Sequence, residues 1–179
     1  MNYLVKDYIG CKRCGLQHIR KNIVFGRGDI PCDVLFIGEA PGKSEDKLAK
    51  AFIGASGRLL NAAIGLAVLN SGCARPRMFI TNVLACRPSD LPAGDNRQPT
   101  GEEAWACWPR LERTCTDARA QKVIILGKIA EQYCKKAFPS ATCLAHPAYI
   151  LRQGGVESPL FLAFWRGLSE VFKEIRHGT

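Results

Sequence analysis

The stretch VLFIGEAPGKSEDKLAKAFIGASGRLLN, residues 34–61, decides the fold that this chain is expected to adopt. Its first four residues, Val34 to Ile37, are apolar and run into the loop Gly38-Glu39-Ala40-Pro41-Gly42, and a second turn at residues 52–57 opens a helical pattern. A short apolar run that contains β-branched residues and ends in a Gly/Pro loop is typical of a parallel strand. Because ligands of open α/β sheets bind at the carboxyl ends of such strands, the loop is a candidate ligand site. An ordinary strand-to-helix connection has the same pattern.

A phosphate-binding P-loop is one alternative for this stretch. Gly42-Lys43-Ser44 matches the end of the motif G-x-x-x-x-G-K-[ST], but the position that needs the first glycine holds Ile37. Gly38 leaves one residue too few. A nucleotide triphosphatase is therefore not expected.

Outside this stretch, strand patterns alternate with helical patterns. Ser56 is the expected N-cap of a helix over about residues 57–69, and Thr100 with Glu103 forms a T-x-x-E capping box for a helix that ends near Cys115. The other predicted elements are strands at residues 78–84 and 123–126, a short apolar segment at 143–145, and helices at about 128–138 and 160–176. This alternation predicts an α/β protein, a three-layer α/β/α sandwich on a mainly parallel central sheet.

The composition indicates one basic domain. The chain has 179 residues, 47% of them hydrophobic, so residues 1–179 are expected to form a single domain with residues 1–31 as an irregular N-terminal arm. A formal charge of +9 favours a polyanionic partner, and nucleic acid is the first candidate. No apolar run reaches the roughly 20 residues of a membrane span, and the first residues lack a basic segment followed by an apolar one. We expect a cytoplasmic protein that acts as a monomer and has no membrane partner.

The nine cysteines suggest metal ligation more than a disulfide framework, because their number is odd and the sequence has no secretory pattern. Cys11 and Cys14 form a C-x-x-C pair, Cys86 follows the second strand, and Cys107 lies in the next predicted helix. Four thiolates suit either a structural zinc ion or a [4Fe-4S] cluster. Unrelated buried thiols are the remaining alternative.

Three polar residues are predicted to meet at one edge of the sheet. Glu39 follows the first strand, Asn82 lies inside the apolar second strand, and His146 follows the short apolar segment at 143–145. The carboxyl ends of parallel strands lie at the same edge, so these side chains should lie near one another. An amide inside an apolar strand needs a partner, since burying it alone costs on the order of 1–3 kcal/mol. Together the three residues indicate a functional site.

With these residues assembled, the chain resembles the uracil-DNA glycosylase superfamily, and most closely its family 4 enzymes, which contain an iron-sulfur cluster. The resemblance covers nearly the whole chain in the right order. It is carried by Gly38-Glu39-Ala40-Pro41-Gly42 with Glu45-Asp46, Phe52-Ile53-Gly54 with Gly57 and Leu59-Leu60, Thr81-Asn82-Val83 with Cys86-Arg87-Pro88, Glu102-Glu103 with Ala106-Cys107 and Pro109, and His146-Pro147-Ala148-Tyr149-Ile150-Leu151-Arg152.

The resemblance implies a monofunctional DNA glycosylase. Such an enzyme hydrolyses the N-glycosidic bond of a flipped-out pyrimidine and leaves an abasic site. Phe52 would stack on the base, Asn82 would read its edge, and His146 would donate to the leaving base. Glu39 would position the attacking water or stabilise the cationic sugar. Gly38 and Ala40 would also contact the substrate.

The resemblance further implies a cofactor and a DNA contact. A [4Fe-4S] cluster, rather than zinc, would be held by Cys11, Cys14, Cys86 and Cys107, with Cys115 as a reserve ligand. Backbone N–H groups of the turn at Gly54, Ser56 and Gly57 could hold a DNA phosphate, and Arg152 could do so by charge.

Several departures from the family pattern leave the excised base open. Ala49 and Ala51 replace the usual Gly and Pro ahead of Phe52, residues 90–94 form an inserted loop, and a basic strand-forming segment is missing between Ala130 and His146. The missing segment would open the pocket beside the leaving base. The substrate is then either uracil, in DNA repair, or a bulkier base such as glucosylated hydroxymethylcytosine of phage DNA, in antiphage defence. A catalytically silent iron-sulfur DNA-binding protein is the hypothesis from another class.

Overall fold

The computed structural model describes residues 6–175, and its centre is a five-stranded sheet. The strand order is β1-β3-β2-β4-β5. The short edge strand β1 runs antiparallel to β3, and the other neighbouring strands are parallel. The strands are β1 Arg27–Gly28, β2 Val34–Gly38, β3 Met78–Asn82, β4 Lys122–Leu126 and β5 Thr142–Leu144.

Within the described residues, six α-helices lie between or after these strands. They are α1 Lys43–Leu48, α2 Ala55–Ser71, α3 Gly101–Ala118, α4 Lys128–Cys134, α5 Pro147–Arg152 and α6 Pro159–Lys173. The capping box of α3 is confirmed, since Thr100 Oγ1 accepts from Glu103 N–H and the Glu103 carboxylate accepts from Thr100 N–H. In the described part of the chain, no helix combines the length and apolar character needed to cross a bilayer.

Three predicted boundaries were wrong by a few residues. Helix α2 begins at Ala55 with Gly54 as its N-cap, so Ser56 is a first-turn residue and not the cap. Strand β3 ends at Asn82, two residues early, and α4 ends at Cys134. The predicted end of the last helix at Arg176 lies outside the described residues, as do residues 1–5 of the predicted arm.

The alternation of side chains along the strands produces the predicted three layers. Val34 and Phe36 of β2 face a core cluster with α2 and α6, whereas Leu35 and Ile37 face a second cluster with α3 and α4. Successive residues of a strand point to opposite faces, and both faces of β2 are buried. The α/β/α sandwich on a mainly parallel sheet is therefore confirmed.

The parallel register brings the predicted polar residues to one edge of this sheet. Gly38 at the end of β2 pairs with Asn82 at the end of β3. Glu39, the next residue after Gly38, therefore lies at the same sheet edge as Asn82. Strand β5 ends at Leu144, and His146 is the N-cap of α5 two residues later. The candidate site lies at the edge of the sheet where these strands end.

Candidate functional site

A cleft of about 940 Å³ opens at the carboxyl ends of the strands. Its lining includes Glu39, Asn82 and His146, the three polar residues predicted to meet there. The other predicted residues that line it are Ala40, Phe52, Gly54, Ser56 and Arg152. The expectation that these side chains share one site is met.

Gly38 lies beneath the cleft, in contact with the two residues predicted to hold a base. A Cβ atom at this position would come 2.5 Å from Asn82 Oδ1 and 2.6 Å from Phe52 Cζ, both too close for real atoms. The missing side chain therefore lets the amide and the ring approach each other. Asn82 is 2% exposed, and its Oδ1 has no hydrogen-bond partner within residues 6–175. A buried acceptor without a partner is costly unless a ligand completes it.

Phe52 is held in an unusual backbone conformation at the mouth of the second turn. Its φ of +52° is rare for a non-glycine residue, and Gly57 permits it, because a Cβ there would lie 1.7 Å from Phe52 O. Arg27 supports the turn from behind by donating to Ala51 O at 2.9 Å and to Asn61 Oδ1 at 2.7 Å. The sequence does not identify Arg27 as a support for this turn, because an edge strand of two residues carries no recognisable pattern.

Glu45 occupies the amino end of α2, where a phosphate was predicted to bind. Its Oε1 accepts from Ile53 N–H at 2.9 Å and from Gly54 N–H at 2.7 Å. The first bond inside α2 runs from Arg58 N–H to Gly54 O, so the N–H groups of residues 55–57 have no partner inside the helix. Of the three predicted phosphate contacts, Gly54 thus already donates to a carboxylate, Ser56 lines the cleft, and Gly57 is buried.

His146 is oriented by its own helix. Its Nδ1 accepts from Ala148 N–H at 3.1 Å, so the neutral imidazole carries its proton on Nε2. Burial, and to a smaller extent the positive charge of Arg152, lowers the pKa of His146 to about 4. Gly127 packs on the His146 side chain, with an imagined Cβ 2.7 Å from His146 Cβ. The ring centroid lies 6.0 Å from that of Phe52. The structure thus offers a neutral N–H donor beside an aromatic face.

Glu39 supplies a carboxyl group at the strand end of the cleft. Burial raises the pKa of this half-buried carboxyl, and Arg152 acts in the opposite direction. Arg152 is exposed and lies within electrostatic range of both Glu39 and His146. A cation at the rim therefore favours a charged Glu39 and a neutral His146 at the same time.

The four predicted metal-ligating cysteines lie around one small cluster next to the cleft. Cys14, Cys86 and Cys107 pack together with Leu16 and neighbouring apolar residues, and Cys14 is also within electrostatic range of Cys11. Cys107 Sγ accepts from Ala85 N–H at 3.4 Å. Among residues 6–175, however, no group of three or more His, Cys, Asp or Glu side chains is placed to hold a single metal ion.

Cys115, the predicted reserve ligand, is separate from this group. It packs against a different core cluster, the one that contains Cys32 and Cys134. Burial raises the pKa of its thiol to about 12. It packs here as a core residue, and its reserve role stays a prediction.

The inserted loop is ordered by a buried arginine. Arg87 is 3% exposed and donates to Asn96 Oδ1 at 2.5 Å, to Pro92 O at 3.2 Å and to Gly94 O. Arg97 then joins the loop to α3 through Glu103, at 2.6 Å. Asn96 and Arg97, which follow the inserted residues 90–94, line the cleft. The insertion itself does not line the cleft but is bonded through Arg87 to Asn96, which does.

The fold and the cleft define a class of α/β protein. The carboxyl edge of its mainly parallel sheet carries the Phe52 ring, the neutral His146 imidazole and the Asn82 amide oxygen, which has no partner among the described residues. A family model of the uracil DNA glycosylase superfamily matches residues 25–169. This chain belongs to that superfamily, among its type-4 members.

Proteins named type-4 uracil-DNA glycosylase are similar to it in several organisms. The one from Thermotoga maritima is 31% identical over 163 residues, which are 79% of this chain and 78% of the relative. The one from Pyrobaculum aerophilum is 40% identical over 130 residues, 73% of this chain and 60% of the relative. The one from Sulfurisphaera tokodaii is 38% identical over 128 residues, 72% of this chain and 54% of the relative. The matched region thus spans only about half to two thirds of several relatives.

Proposed function

We propose that this chain is a monofunctional DNA glycosylase that hydrolyses the N-glycosidic bond of a flipped-out pyrimidine and leaves an abasic site. The observation that carries the proposal is the buried Asn82 Oδ1, which lacks a partner in the described residues and borders the Phe52 ring. The proposal takes the whole chain as one domain that acts on DNA as a monomer in the cytoplasm. Its +9 charge supports a DNA partner.

Base recognition follows from the two groups above Gly38. An enzyme cannot reach a base inside a duplex, so the nucleotide must leave the stack and enter a pocket. The Phe52 ring would stack on the base, replacing the lost base stacking. The Asn82 amide both donates and accepts, and so it can pair with the edge of a pyrimidine.

Bond cleavage would use His146 and Glu39. Breaking the glycosidic bond places negative charge on the leaving base and positive charge on the sugar. The Nε2–H of a neutral His146 can donate a hydrogen bond to the developing anion. The ring does not have to be protonated first, and its pKa of about 4 disfavours protonation near neutral pH. The Glu39 carboxylate would orient the attacking water or stabilise the sugar cation. Arg152 favours the charged form of Glu39 and would contact a DNA phosphate at the rim.

The four cysteines fit an iron-sulfur cluster better than a zinc ion. Cys14, Cys86 and Cys107 share one apolar cluster and Cys11 lies near Cys14, but among residues 6–175 they are not placed for a single ion, which would need all its thiolates about 2.3 Å from one centre. N–H donors directed at sulfur, here from Ala85, Arg20 and Arg110, are a feature of cluster sites. A [4Fe-4S] cluster held by Cys11, Cys14, Cys86 and Cys107 would cross-link the N-terminal arm to the segment after β3 and to α3.

A bulky modified pyrimidine is the second candidate substrate, and the shape of the cleft favours it. The volume of about 940 Å³ lies near the upper end of the range for small-molecule sites, although flanking nucleotides would occupy part of it. Beyond the base pocket the lining continues to Lys128, Glu131 and Cys143, whose polar groups suit a hydroxyl-bearing substituent. Absence of the family's segment between Ala130 and His146 would leave this side open for the glucosylated hydroxymethylcytosine of phage DNA, the substrate of an antiphage enzyme.

The test is an abasic-site assay with two DNA substrates. The protein is incubated with uracil-containing duplex and, separately, with phage DNA that carries glucosylated hydroxymethylcytosine, and abasic sites are cleaved with alkali and counted. Cleavage of one substrate identifies the base. Asn82→Ala and His146→Ala should each remove most of the activity, whereas Gly65→Ala, in open space on α2, should not. Tight DNA binding with no abasic sites on either substrate would instead support the silent DNA-binding protein.

A further inference from the structure

Arg110 is a buried cation between the cysteine group and the base pocket. It lies on α3 and is 2% exposed. Its Nη2 donates to Asn82 O at 2.8 Å and to Val83 O at 2.6 Å, and it lies 3.5 Å from Cys107 Sγ. Its Nη1 donates to Thr81 Oγ1 at 3.1 Å. One guanidinium group therefore contacts both the end of β3 and a proposed cluster ligand.

Of the residues held by Arg110, Asn82 lines the cleft, and the residues after it are bonded to the end of β2 and the loop that follows. Val83 N–H donates to Gly38 O at 2.8 Å, and Leu84 N–H donates to Glu39 O at 3.0 Å. The segment after β3 is thus tied on one side to Arg110 and on the other to the loop that carries Glu39. A shift of Arg110 would move the Asn82 backbone, and with it the amide that reads the base.

The charge of Arg110 needs a counter-charge that its hydrogen bonds do not supply. Its partners within residues 6–175 are carbonyl oxygens, a hydroxyl and a sulfur, and none of the ion pairs found there includes it. A buried cation without an anion is costly, and the nearest source of negative charge is the Cys107 sulfur once it is a metal-bound thiolate.

We propose that Arg110 is a positioning residue that couples occupancy of the four-cysteine site to base reading by Asn82. The proposal rests on the proposed function, because it needs both a thiolate-bound cluster and a base at Asn82. Negative charge at Cys107 holds the guanidinium, and the guanidinium holds the carbonyl groups of residues 82 and 83. Base affinity and the state of the cluster are then linked through one side chain.

Two other arginines provide matched comparisons. Arg20 donates to Cys86 Sγ at 3.5 Å and to Cys11 O at 2.6 Å, so it places a cation at a different cysteine of the same group and makes none of the bonds to β3 that Arg110 makes. Arg113 lies on α3 one turn after Arg110, is exposed, and pairs with Asp117 at 2.9 Å. Lysine variants keep the charge at each position but lose the planar fork that lets one arginine bind several acceptors.

The first experiment compares Arg110→Lys, Arg20→Lys and Arg113→Lys in the full-length protein. Iron per chain, the visible spectrum, thermal unfolding and kcat/KM are measured on whichever of the two DNA substrates the unmodified protein cleaves. Arg110→Lys should keep its iron and lose roughly tenfold to a hundredfold in kcat/KM, the size expected for one charge-assisted hydrogen bond. Arg20→Lys should alter the spectrum and leave kcat/KM within about threefold, and Arg113→Lys should change neither. The coupling would be overturned if Arg110→Lys had an unchanged kcat/KM. It would also be overturned if the fall in kcat/KM were no larger than the fall in iron content.

The second experiment starts from the unmodified protein, so its first result does not depend on whether a variant folds. If base binding and the cluster are linked, binding of a neutral free base must shift the reduction potential of the cluster, because coupling is reciprocal. The potential of the unmodified protein is measured with and without saturating free uracil, or free 5-hydroxymethylcytosine if only the modified DNA is cleaved. A shift that persists in Arg20→Lys and disappears in Arg110→Lys is expected. An unchanged potential in an active, iron-containing protein contradicts the coupling alone, whereas a protein without iron or without activity contradicts the proposed function itself.

Discussion

Adding one methyl group at Gly38 should block the base site while leaving the fold intact. In Gly38→Ala the new Cβ would lie 2.5 Å from Asn82 Oδ1 and 2.6 Å from Phe52 Cζ, so the amide, the ring or both must move. Position 38 is not among the glycines with positive φ, and its backbone therefore accepts alanine. The substitution changes the space between the two groups that would hold the base.

The expected size of the effect comes from the contacts that are lost. Displacing the amide removes its two hydrogen bonds to the base, worth about 1–3 kcal/mol together, which corresponds to roughly a fivefold to hundredfold fall in kcat/KM. Overpacking at a buried position also lowers the free energy of unfolding by about 1–3 kcal/mol. The melting temperature should then fall by about 2–4 °C for each kcal/mol.

The assay measures abasic-site formation and thermal unfolding of Gly38→Ala beside Gly65→Ala. A Cβ at Gly65 meets no atom within 4 Å, so this helical variant should be fully active and about 0.8–1.0 kcal/mol more stable. If Gly38→Ala is folded and keeps kcat/KM within about twofold of the unmodified protein, the base does not lie between Asn82 and Phe52. The assignment of the pocket would then be refuted.

Three further predictions concern charge and the cysteines. The pKa of His146 is lowered from its ordinary 6.5 to about 4, so the native state favours the neutral imidazole. The contribution of this group to the free energy of unfolding should be fully present above pH 6.5 and decline as the pH falls toward 4. Unfolding titrations of His146→Gln should lack this part of the pH dependence. Arg152→Ala should raise the pKa of both Glu39 and His146, move the acidic limb of the pH–rate profile to higher pH, and reduce the salt slope of DNA binding by about one. Cys107→Ser should lose iron and visible absorption, whereas Cys115→Ser should keep both, as an iron assay and spectrum would show.

The architecture was readable from local patterns. Apolar runs of three to seven residues predict parallel strands whose carboxyl ends meet, because strand direction determines on which edge a residue lies. The same pattern predicts that Glu39, Asn82 and His146 lie together, and the structure confirms it. The capping box at Thr100 was equally local, since all of its atoms come from four consecutive residues.

The stretch at residues 34–61 has two features that local sequence patterns do not predict. Its sequence predicted a strand, a glycine-rich turn and a helix, but the amino end of that helix is occupied by Glu45, eight residues before Ile53, and Phe52 adopts φ +52°. Both features depend on Arg27 and Gly57 packing against the turn. No propensity scale describes a conformation that is stable only because distant groups surround it.

What the sequence alone determined about this protein is the alternation of its main strands and helices, the edge that carries the site and the residue types that meet there; the edge strand β1 and the short helices α1 and α5 were not predicted. Only the tertiary structure decided which polar groups are already satisfied. It shows that Gly54 N–H is bound to a carboxylate, that Asn82 Oδ1 lacks a partner in the described chain, and that Arg110 joins Asn82 to Cys107. The physical reason is that hydrogen-bond satisfaction and burial are set by residues far apart in the chain, whereas spacing along the chain reports only neighbours.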